Sequence, residues 1–470
     1  MSQKKAHFIG IAGKGMSATA LLLREAGWEI TGSDEGFYPP VSDYLVKAGI
    51  TFSNGYKKEN IPTDADVIVI GKNAKLIPES NEEVEAAFTS GKTVKSFPDI
   101  LEELTTNTDT IVVAGSYGKS TSTALAAWCL KHAGKDPSYF IGEIAKDFDA
   151  HAHQGTGSVF VLEGDEYPAS NWDERSKFLH YNPGSVLLTS AVHDHVNVFP
   201  THEEYLAPFK TLMNTVRGDG LVVANADEQF AKAVAEGFSG TKVWYGMHTK
   251  DSWHPENTVY GMPTTFDLMK GSGKVATIST TLLGAHNVEN IVGVSAMLLE
   301  KGLITPEELV AAVAEFKGVK RRMELLTKNS KVPVLEGFGS SVEKALSAIA
   351  AMKLRYPTRR LMVVFEPHTF TWRNRDAIAQ YDRAFAGAAR VYIYEPATQG
   401  ATTHAQLTQE EIIARVRAAG VDAVSIQEPK AAVEKIVSEL DENDAVLLLS
   451  SGNLDGMVET IPRVVEAVFA

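Results

Sequence analysis

Ile111-Val-Val-Ala-Gly-Ser-Tyr-Gly-Lys-Ser-Thr121 reads as an apolar strand, a glycine-rich turn, a lysine followed by two hydroxyl residues, and a helix-compatible run over 124–132. That order suits a polyphosphate. Glycines let backbone N–H groups approach the oxygens, a helix start adds partial positive charge, and Lys119 adds a full one. A hydroxyl directly after the lysine, here Ser120, stands where a phosphate-bound Mg²⁺ is usually held. Val113 occupies the first glycine position of the full GxxxxGK[ST] loop, so what remains is Gly115-x-x-Gly118-Lys119-Ser120. Short glycine motifs also recur in ordinary strand–helix turns, and the rest of the chain has to decide.

At 470 residues the chain exceeds one hydrophobic core, which implies two to four domains. An apolar share of 44% and a charged share of 22% are those of an ordinary soluble protein. The net charge of −14 argues against a general nucleic-acid binder and leaves any anionic ligand to local donors. A single cysteine, Cys129, excludes an intramolecular disulfide and a cysteine-built zinc site. Without a run of about 18 apolar residues, a cytoplasmic protein with no membrane or nucleic-acid partner is the expectation.

Upstream, Ala6-His-Phe-Ile-Gly-Ile-Ala12 reads as a strand, followed by Gly13-Lys-Gly15-Met16 and a helical run to residue 26. Residues 28–32 form a second strand ending at Ser33-Asp34, and Val67-Ile-Val-Ile-Gly71 is a buried one. Such alternation implies a parallel sheet with ligands at the carboxyl ends of its strands. Asp34 falls about 20 residues after the first turn, where dinucleotide sites carry a ribose-binding acid. A plain α/β domain fits the same residues. Beyond the polar joint Thr105-Thr-Asn-Thr-Asp109, residues 159–163, 185–189 and 220–224 read as strands. A third alternating block from about residue 325 offers 361–365, 390–394 and 444–449.

Glu163-Gly-Asp165-Glu166 follows one central strand and Ala191-Val-His-Asp194-His195 the next, so two neighbouring strands would bring carboxylates and an imidazole to one rim. Glu163, His195 and Ser120 can together position Mg²⁺ beside phosphates. A helix cap and a satisfied loop histidine explain the same residues. Gly284-Ala-His286-Asn287-Val-Glu-Asn290 opens a helix over 291–300. Asparagine can pair with the N6/N7 edge of adenine, although capping would account for one of the two. Lys320-Arg321-Arg322 is either a solvated basic patch or a clamp on a transferring phosphoryl group.

Taken in order, Gly10-x-x-Gly13-x-Gly15-Met16, the phosphate loop, Glu163-Gly-Asp-Glu166, Asp194-His195, His286-Asn287-x-x-Asn290 and Arg321-Arg322 make the whole chain resemble the Mur ligases. These are the ATP-dependent amide-forming enzymes of bacterial cell-wall assembly. The resemblance implies an α/β chain of three domains. A Rossmann-like N-terminal domain (1–106) would hold the UDP-sugar, a central P-loop ATPase-type domain (107–322) ATP, and a C-terminal Rossmann-like domain (323–470) the incoming amine. It implies ATP and Mg²⁺ as cofactors, UDP-N-acetylmuramate and a cell-wall peptide or amino acid as partners, and a monomer or weak homodimer.

The resemblance also implies residue roles. Gly115, Ser116, Tyr117, Gly118, Lys119, Ser120 and Thr121 would cradle phosphates, with Asn287 and Asn290 on the adenine side. Ser120, Glu163 and His195 would serve the metal, with Glu166 an additional candidate, and Arg321 or Arg322 would face the transferring phosphoryl. Lys119, Glu163, His195, Arg321 and Arg322 are thus the implied catalytic set. Gly13, Gly15, Met16, Ser33, Asp34 and Asn73 would line the sugar-nucleotide side. Lys210 is either the carbamylated lysine of some members or an exposed helix lysine.

Gly32-Ser-Asp-Glu-Gly-Phe-Tyr38-Pro-Pro40, Asp165-Glu-Tyr167 and Arg175-Ser-Lys-Phe-Leu-His180-Tyr resemble the peptide-adding members more than the L-alanine-adding ones. The family's third domain opens Asp-Asp-aromatic-small-His-His-Pro, at the junction of nucleotide and amine. Here the stretch is Glu336-Gly-Phe-Gly-Ser340-Ser341-Val342, without either histidine or the proline. Phe365-Glu-Pro-His368-Thr-Phe-Thr371 keeps a Pro-His form similar to that of the L-alanine-adding members. His368, Arg373 and Arg375 are the acceptor-side candidates. A Mur-like binding protein without turnover is the remaining reading.

Overall fold

The three alternating blocks build three sheets, as the α/β reading expects. The computed structural model describes residues 3–196, 198–395 and 405–470. In the first sheet, β1 (Lys5–Ile9), β2 (Glu29–Asp34), β3 (Thr51–Asn54), β4 (Val67–Ile70) and β5 (Thr93–Lys95) run parallel in the order β3-β2-β1-β4-β5. Alternate residues feed opposite cores: Phe8, Val67 and Val69 enter one, Ile9, Ile68 and Ile70 the other. A sheet buried on both faces needs such unbroken apolar runs.

The second sheet contains β6 (Asp109–Ala114), β7 (Ser138–Phe140), β8 (Ala152–His153), β9 (Val159–Gly164), β10 (Ser185–Leu188), β11 (Leu221–Asn225), β12 (Thr241–Tyr245), β13 (Trp253–Val259), β14 (Thr264–Lys270) and β15 (Gly273–Thr280). Their order is β15-β14-β13-β12-β11-β10-β6-β9-β7-β8. The antiparallel pairing of β13, β14 and β15 lies outside the strand–helix alternation sought in the sequence. One expectation is corrected: β9 and β10 are not neighbours, because the phosphate-loop strand β6 pairs with both and separates them. Their carboxyl ends therefore flank the loop on its two sides.

In the third sheet, β16 (Arg322–Leu325), β17 (Val334–Gly337), β18 (Arg360–Phe365), β19 (Arg390–Tyr394), β20 (Asp422–Ile426) and β21 (Asp444–Leu449) lie in the order β16-β17-β21-β18-β19-β20. Only β16 runs antiparallel to its neighbour among these described strands. One apolar core runs from the first sheet into the second, with the Phe97 and Phe140 rings 6.0 Å apart. Lys14 and Glu143 pair at 2.8 Å along the same seam. Among the described residues no helix is long and apolar enough to cross a membrane.

The first domain also holds a buried polar knot. His7 Nε2 and Glu83 Oε1 are 2.7 Å apart, Ser33 Oγ donates to the same oxygen at 2.8 Å, and the Lys57 N–H and Asn60 Nδ2 donate to Oε2 at 2.9 and 3.0 Å. Every carboxylate lone-pair direction is used, which is what makes a buried charge tolerable. Glu83→Ala orphans all four partners and should cost about 3 to 5 kcal/mol of first-domain stability. Urea unfolding followed by first-domain amide exchange checks this, and an unchanged midpoint would show that the knot contributes nothing.

Candidate active site

The phosphate loop joins β6 to the helix Lys119–His132. Gly115 (φ +144°) and Gly118 (φ +81°) take conformations that side chains avoid. A Cβ on Gly115 would lie 2.2 Å from Thr189 Oγ1, so the loop is pressed against the end of β10. Lys119 folds back over the loop. Its Nζ donates to the Gly115 carbonyl and lies 3.0 Å from Glu166 Oε2. Burial alone would discharge it, but Glu166, Asp165 and Glu163 outweigh that and hold its pKa above the ordinary value.

Glu163, within β9, and Glu166, just after it, have different partners. Glu163 accepts from Ser120 Oγ at 2.8 Å and from the Gly142 N–H at 2.7 Å. Burial raises its pKa in spite of Lys119. Glu166 is also buried, yet Lys119 and then His195 hold its pKa below the ordinary value. His195 Nε2 lies 3.4 Å from Glu166 Oε1, and its Nδ1 is 2.9 Å from the Tyr167 hydroxyl. Of the expected trio, Ser120 bonds to Glu163, and His195 lies beside Glu166.

The donor set fits a hard divalent cation. Ser120 and Glu163 offer oxygens only, and a buried carboxylate whose proton affinity is raised gains from a dication. Tyr205, which sequence reasoning missed, places its hydroxyl 2.9 Å from Ser116 Oγ and 3.2 Å from Glu166 Oε1. Its signal was the inward stripe of the helix His202–Thr215, where Tyr205 and Phe209 are buried. Lys210 falls off that stripe and is exposed, which favours the plain helix lysine.

A cavity opens between the loop and the third domain. Ser116 through Thr121, Glu163, His286, Asn287, Glu289 and Asn290 line one side, and Arg322, Phe338 and Lys344 the other. Asn287 Nδ2 donates to the Leu283 carbonyl at 2.8 Å, and Asn290 Nδ2 to Asn287 Oδ1 at 3.4 Å. A Cβ on Gly118 would lie 2.6 Å from Asn290 Oδ1, so this pair also buttresses the phosphate loop. Burial pushes His286 down to about 4 and Glu289 up to about 7. Glu289, Glu143 and Lys344 were not singled out in the sequence; only the three-residue spacing from His286 marked Glu289.

The two arginines part company. Arg322 lines the cavity, its guanidinium 4.1 Å from the centre of the Phe338 ring and 3.7 Å from Glu143. Arg321 turns away, with Nε 2.6 Å from Glu336 Oε1 and NH2 donating to the Gly452 carbonyl. Of the two candidates for facing the phosphoryl group, Arg322 is the one at the cavity, and Arg321 has a left-handed backbone (φ +63°).

In the first domain Gly13 and Gly15 flank the start of the helix Lys14–Glu25, and a Cβ on Gly15 would run into the Phe97 ring at 2.8 Å. Ser33 is fully buried in the Glu83 knot and Met16 is buried in the apolar core, so both are corrected from ligand contacts to structural residues. Asp34 accepts the Ala12 N–H at 2.9 Å and the Tyr56 hydroxyl at 3.1 Å. Asn73 is exposed, and its carbonyl accepts from Asn171 of the second domain at 2.9 Å. In the third domain His368 is 45% exposed, 3.3 Å from Glu366. Arg373 closes the helix Phe370–Arg373, whereas Arg375 is tied to Glu411 and the Gln406 carbonyl.

Three family models match in sequence order: Mur ligase family, catalytic domain (residues 5–108), Mur ligase middle domain (113–298), and Mur ligase, glutamate ligase domain (321–452). The chain is 27% identical to the UDP-N-acetylmuramate–L-alanyl-γ-D-glutamyl-meso-2,6-diaminoheptandioate ligase of Haemophilus influenzae, over 97% of this chain and 98% of that one. It is 31% identical to the UDP-N-acetylmuramate–L-alanine ligase of an Arthrobacter species, over 82% and 79%. A crystal structure of the tripeptide-type ligase from Neisseria meningitides superimposes with TM-score 0.62 at 30% identity, covering 68% of this chain and all of that one.

Glu289 gives the site a pH signature. Its folded pKa lies above that of an exposed glutamate, so the folded state binds the extra proton. Stability then falls as pH rises from about 4.5 to 7 and levels off above that. Glu289→Gln removes the effect and should gain up to about 3 kcal/mol on the wild type between pH 5 and 8. Melting curves at both pH values test it; equal differences would overturn the assignment.

Proposed function

Because this chain belongs to the Mur ligase family, whose members are ATP-dependent amide-bond ligases, we propose that it joins the carboxylate of UDP-N-acetylmuramate to the amine of an L-alanyl-γ-D-glutamyl-meso-diaminopimelate-type peptide. The observation that carries the ligase reading is the cavity between domains, with Lys119, Ser120 and Glu163 on one wall and Arg322 and Lys344 on the other. End-to-end similarity to the Haemophilus protein supports the peptide as acceptor. In this reading residues 1–106 hold the sugar nucleotide, 107–322 ATP and 323–470 the amine, and the protein works in the cytoplasm.

A carboxylate is a poor electrophile because its leaving group would be oxide. In the reaction proposed, a carboxylate oxygen bonds to the γ-phosphorus of ATP while the bond from that phosphorus to the β,γ-bridging oxygen breaks, its electron pair leaving on ADP. The amine of the peptide then attacks the activated carbonyl carbon, gives up a proton, and phosphate departs with the C–O pair. The protein's work is placement and charge neutralisation. Lys119 holds the β- and γ-phosphates while Glu166 keeps it charged, and Arg322, rigid against Phe338, faces the phosphoryl group. Ser120 and Glu163 would hold Mg²⁺, and His195 with Glu166 a second ion or the acyl phosphate side. Bound Mg²⁺ supplies charge neutralisation of the phosphate oxygens.

A second reading, L-alanine as acceptor, is favoured by Pro367-His368 and by the Arthrobacter relative. An acceptor screen separates the two. ADP release should require both UDP-N-acetylmuramate and tripeptide, with free L-alanine at least tenfold poorer. Release at one rate whatever is omitted would sink the ligase reading. Lys119→Ala should lower turnover roughly 10²- to 10³-fold, the scale of losing one preorganised donor, while calorimetry shows unchanged binding of the sugar nucleotide.

A further inference from the structure

Lys344 sits in the first turn of the helix Val342–Arg355, whose N-cap Ser341 makes no side-chain cap hydrogen bond. A cation there faces the positive end of the helix dipole. It is also largely enclosed, with 21% of its side chain exposed; this desolvation pushes its pKa below the ordinary value, and the charges of Lys119 and Arg322 push the same way. Against this stand Asp194 Oδ2 at 3.3 Å and Ser340 Oγ at 2.9 Å. Three cations, Lys119, Arg322 and Lys344, thus converge from two domains on one cavity. The acids beside them, Glu166, Glu143 and Asp194, lie at 3.0, 3.7 and 3.3 Å, so two of the three pairs are long for charge-assisted hydrogen bonds.

We propose that Lys344 is a catalytic residue, the third domain's contact to the phosphoryl group that ATP gives up. The proposal rests on the ligase reading. Lys344 lies three residues after Glu336-Gly-Phe-Gly-Ser340-Ser341. As the phosphorus leaves the ADP oxygen for the carboxylate oxygen, charge spreads over its three equatorial oxygens. The Lys344 ammonium donates to one of them and neither gains nor loses a proton. Asp194 keeps it charged and aimed while the domains are apposed. Because Lys344 belongs to the third domain and Lys119 to the second, the phosphoryl group is gripped from both sides only when the two domains meet.

The experiment compares wild type with K344M, K344R and K344Q, the last able to keep hydrogen bonds to Asp194 and Ser340 without the charge. Calorimetry with Mg²⁺ measures binding of the β,γ-imido analogue of ATP and, separately, of ADP. K344M and K344Q should weaken the analogue at least tenfold and ADP less than twofold, with K344R within threefold of wild type. In the ligation assay kcat should fall at least 100-fold for K344M. Equal weakening of both nucleotides, or none, would mean that Lys344 is only an interdomain ion pair, and the proposal falls. If wild type releases no ADP with any acceptor, the ligase reading fails by itself, and the analogue-to-ADP ratio still decides whether Lys344 holds the γ-phosphoryl group.

Discussion

An ammonium buried in the first turn of a helix works against both desolvation and the helix dipole, so acids must stand beside it. Lys119 is in that position, and Glu166 answers it at 3.0 Å with Glu163 and Asp165 close behind. The order β10-β6-β9 meets this need. The strand directly beside the phosphate-loop strand delivers carboxylates to the rim where Lys119 lies. The opposite neighbour brings Thr189 and Ser190 against the loop and carries the chain on to His195. Were β9 and β10 adjacent to each other, the lysine would lack an acid on one side or its loop a wall on the other.

The same rule applies across domains. Glu166 is buried, Glu163 and Asp194 are half-buried, and each is paired to a donor. Their burial has opposite outcomes. Glu163 keeps a raised proton affinity because burial outweighs Lys119 and the two neutral donors, whereas at Glu166 and Asp194 the neighbouring cations outweigh burial. A site that alternates poorly compensated acids with crowded cations accommodates a polyphosphate and a dication together better than either alone.

Strand positions and the phosphate loop were legible in the sequence because they depend on residues near one another in the chain. The run of β4 and the Gly115–Lys119 turn carry their own periodicity and backbone demands. Strand order was not legible, since the pairing of β6 with both β9 and β10 is set by distant segments. The split between Arg321 and Arg322 was equally hidden, as nothing in the residue type signals a left-handed φ at an arginine. The resemblance implied a sugar-nucleotide contact for Ser33, whereas the partner of its hydroxyl, Glu83, comes from a helix 50 residues later. The antiparallel β13-β14-β15 interrupts the strand–helix alternation of the rest of the domain.

The carboxyl edge of the third sheet is the part of the molecule least legible in the sequence. Glu366 and His368 follow β18, Ser450 and Gly452 follow β21, and Glu336 lies near the end of β17, just before Gly337. A Cβ on Gly452 would lie 2.7 Å from Glu366 Oε2 and 2.9 Å from His368 Nδ1, and the Gly452 carbonyl accepts from Arg321. Arg321 thereby ties the loop after β21 to the acid of β17, at the point where the second domain hands over to the third. This web of bonds ties the loops at the carboxyl edge of the third sheet to one another while leaving the His368 side chain 45% exposed. The partners come from strands far apart in the chain, so neither helical nor strand periodicity reveals them.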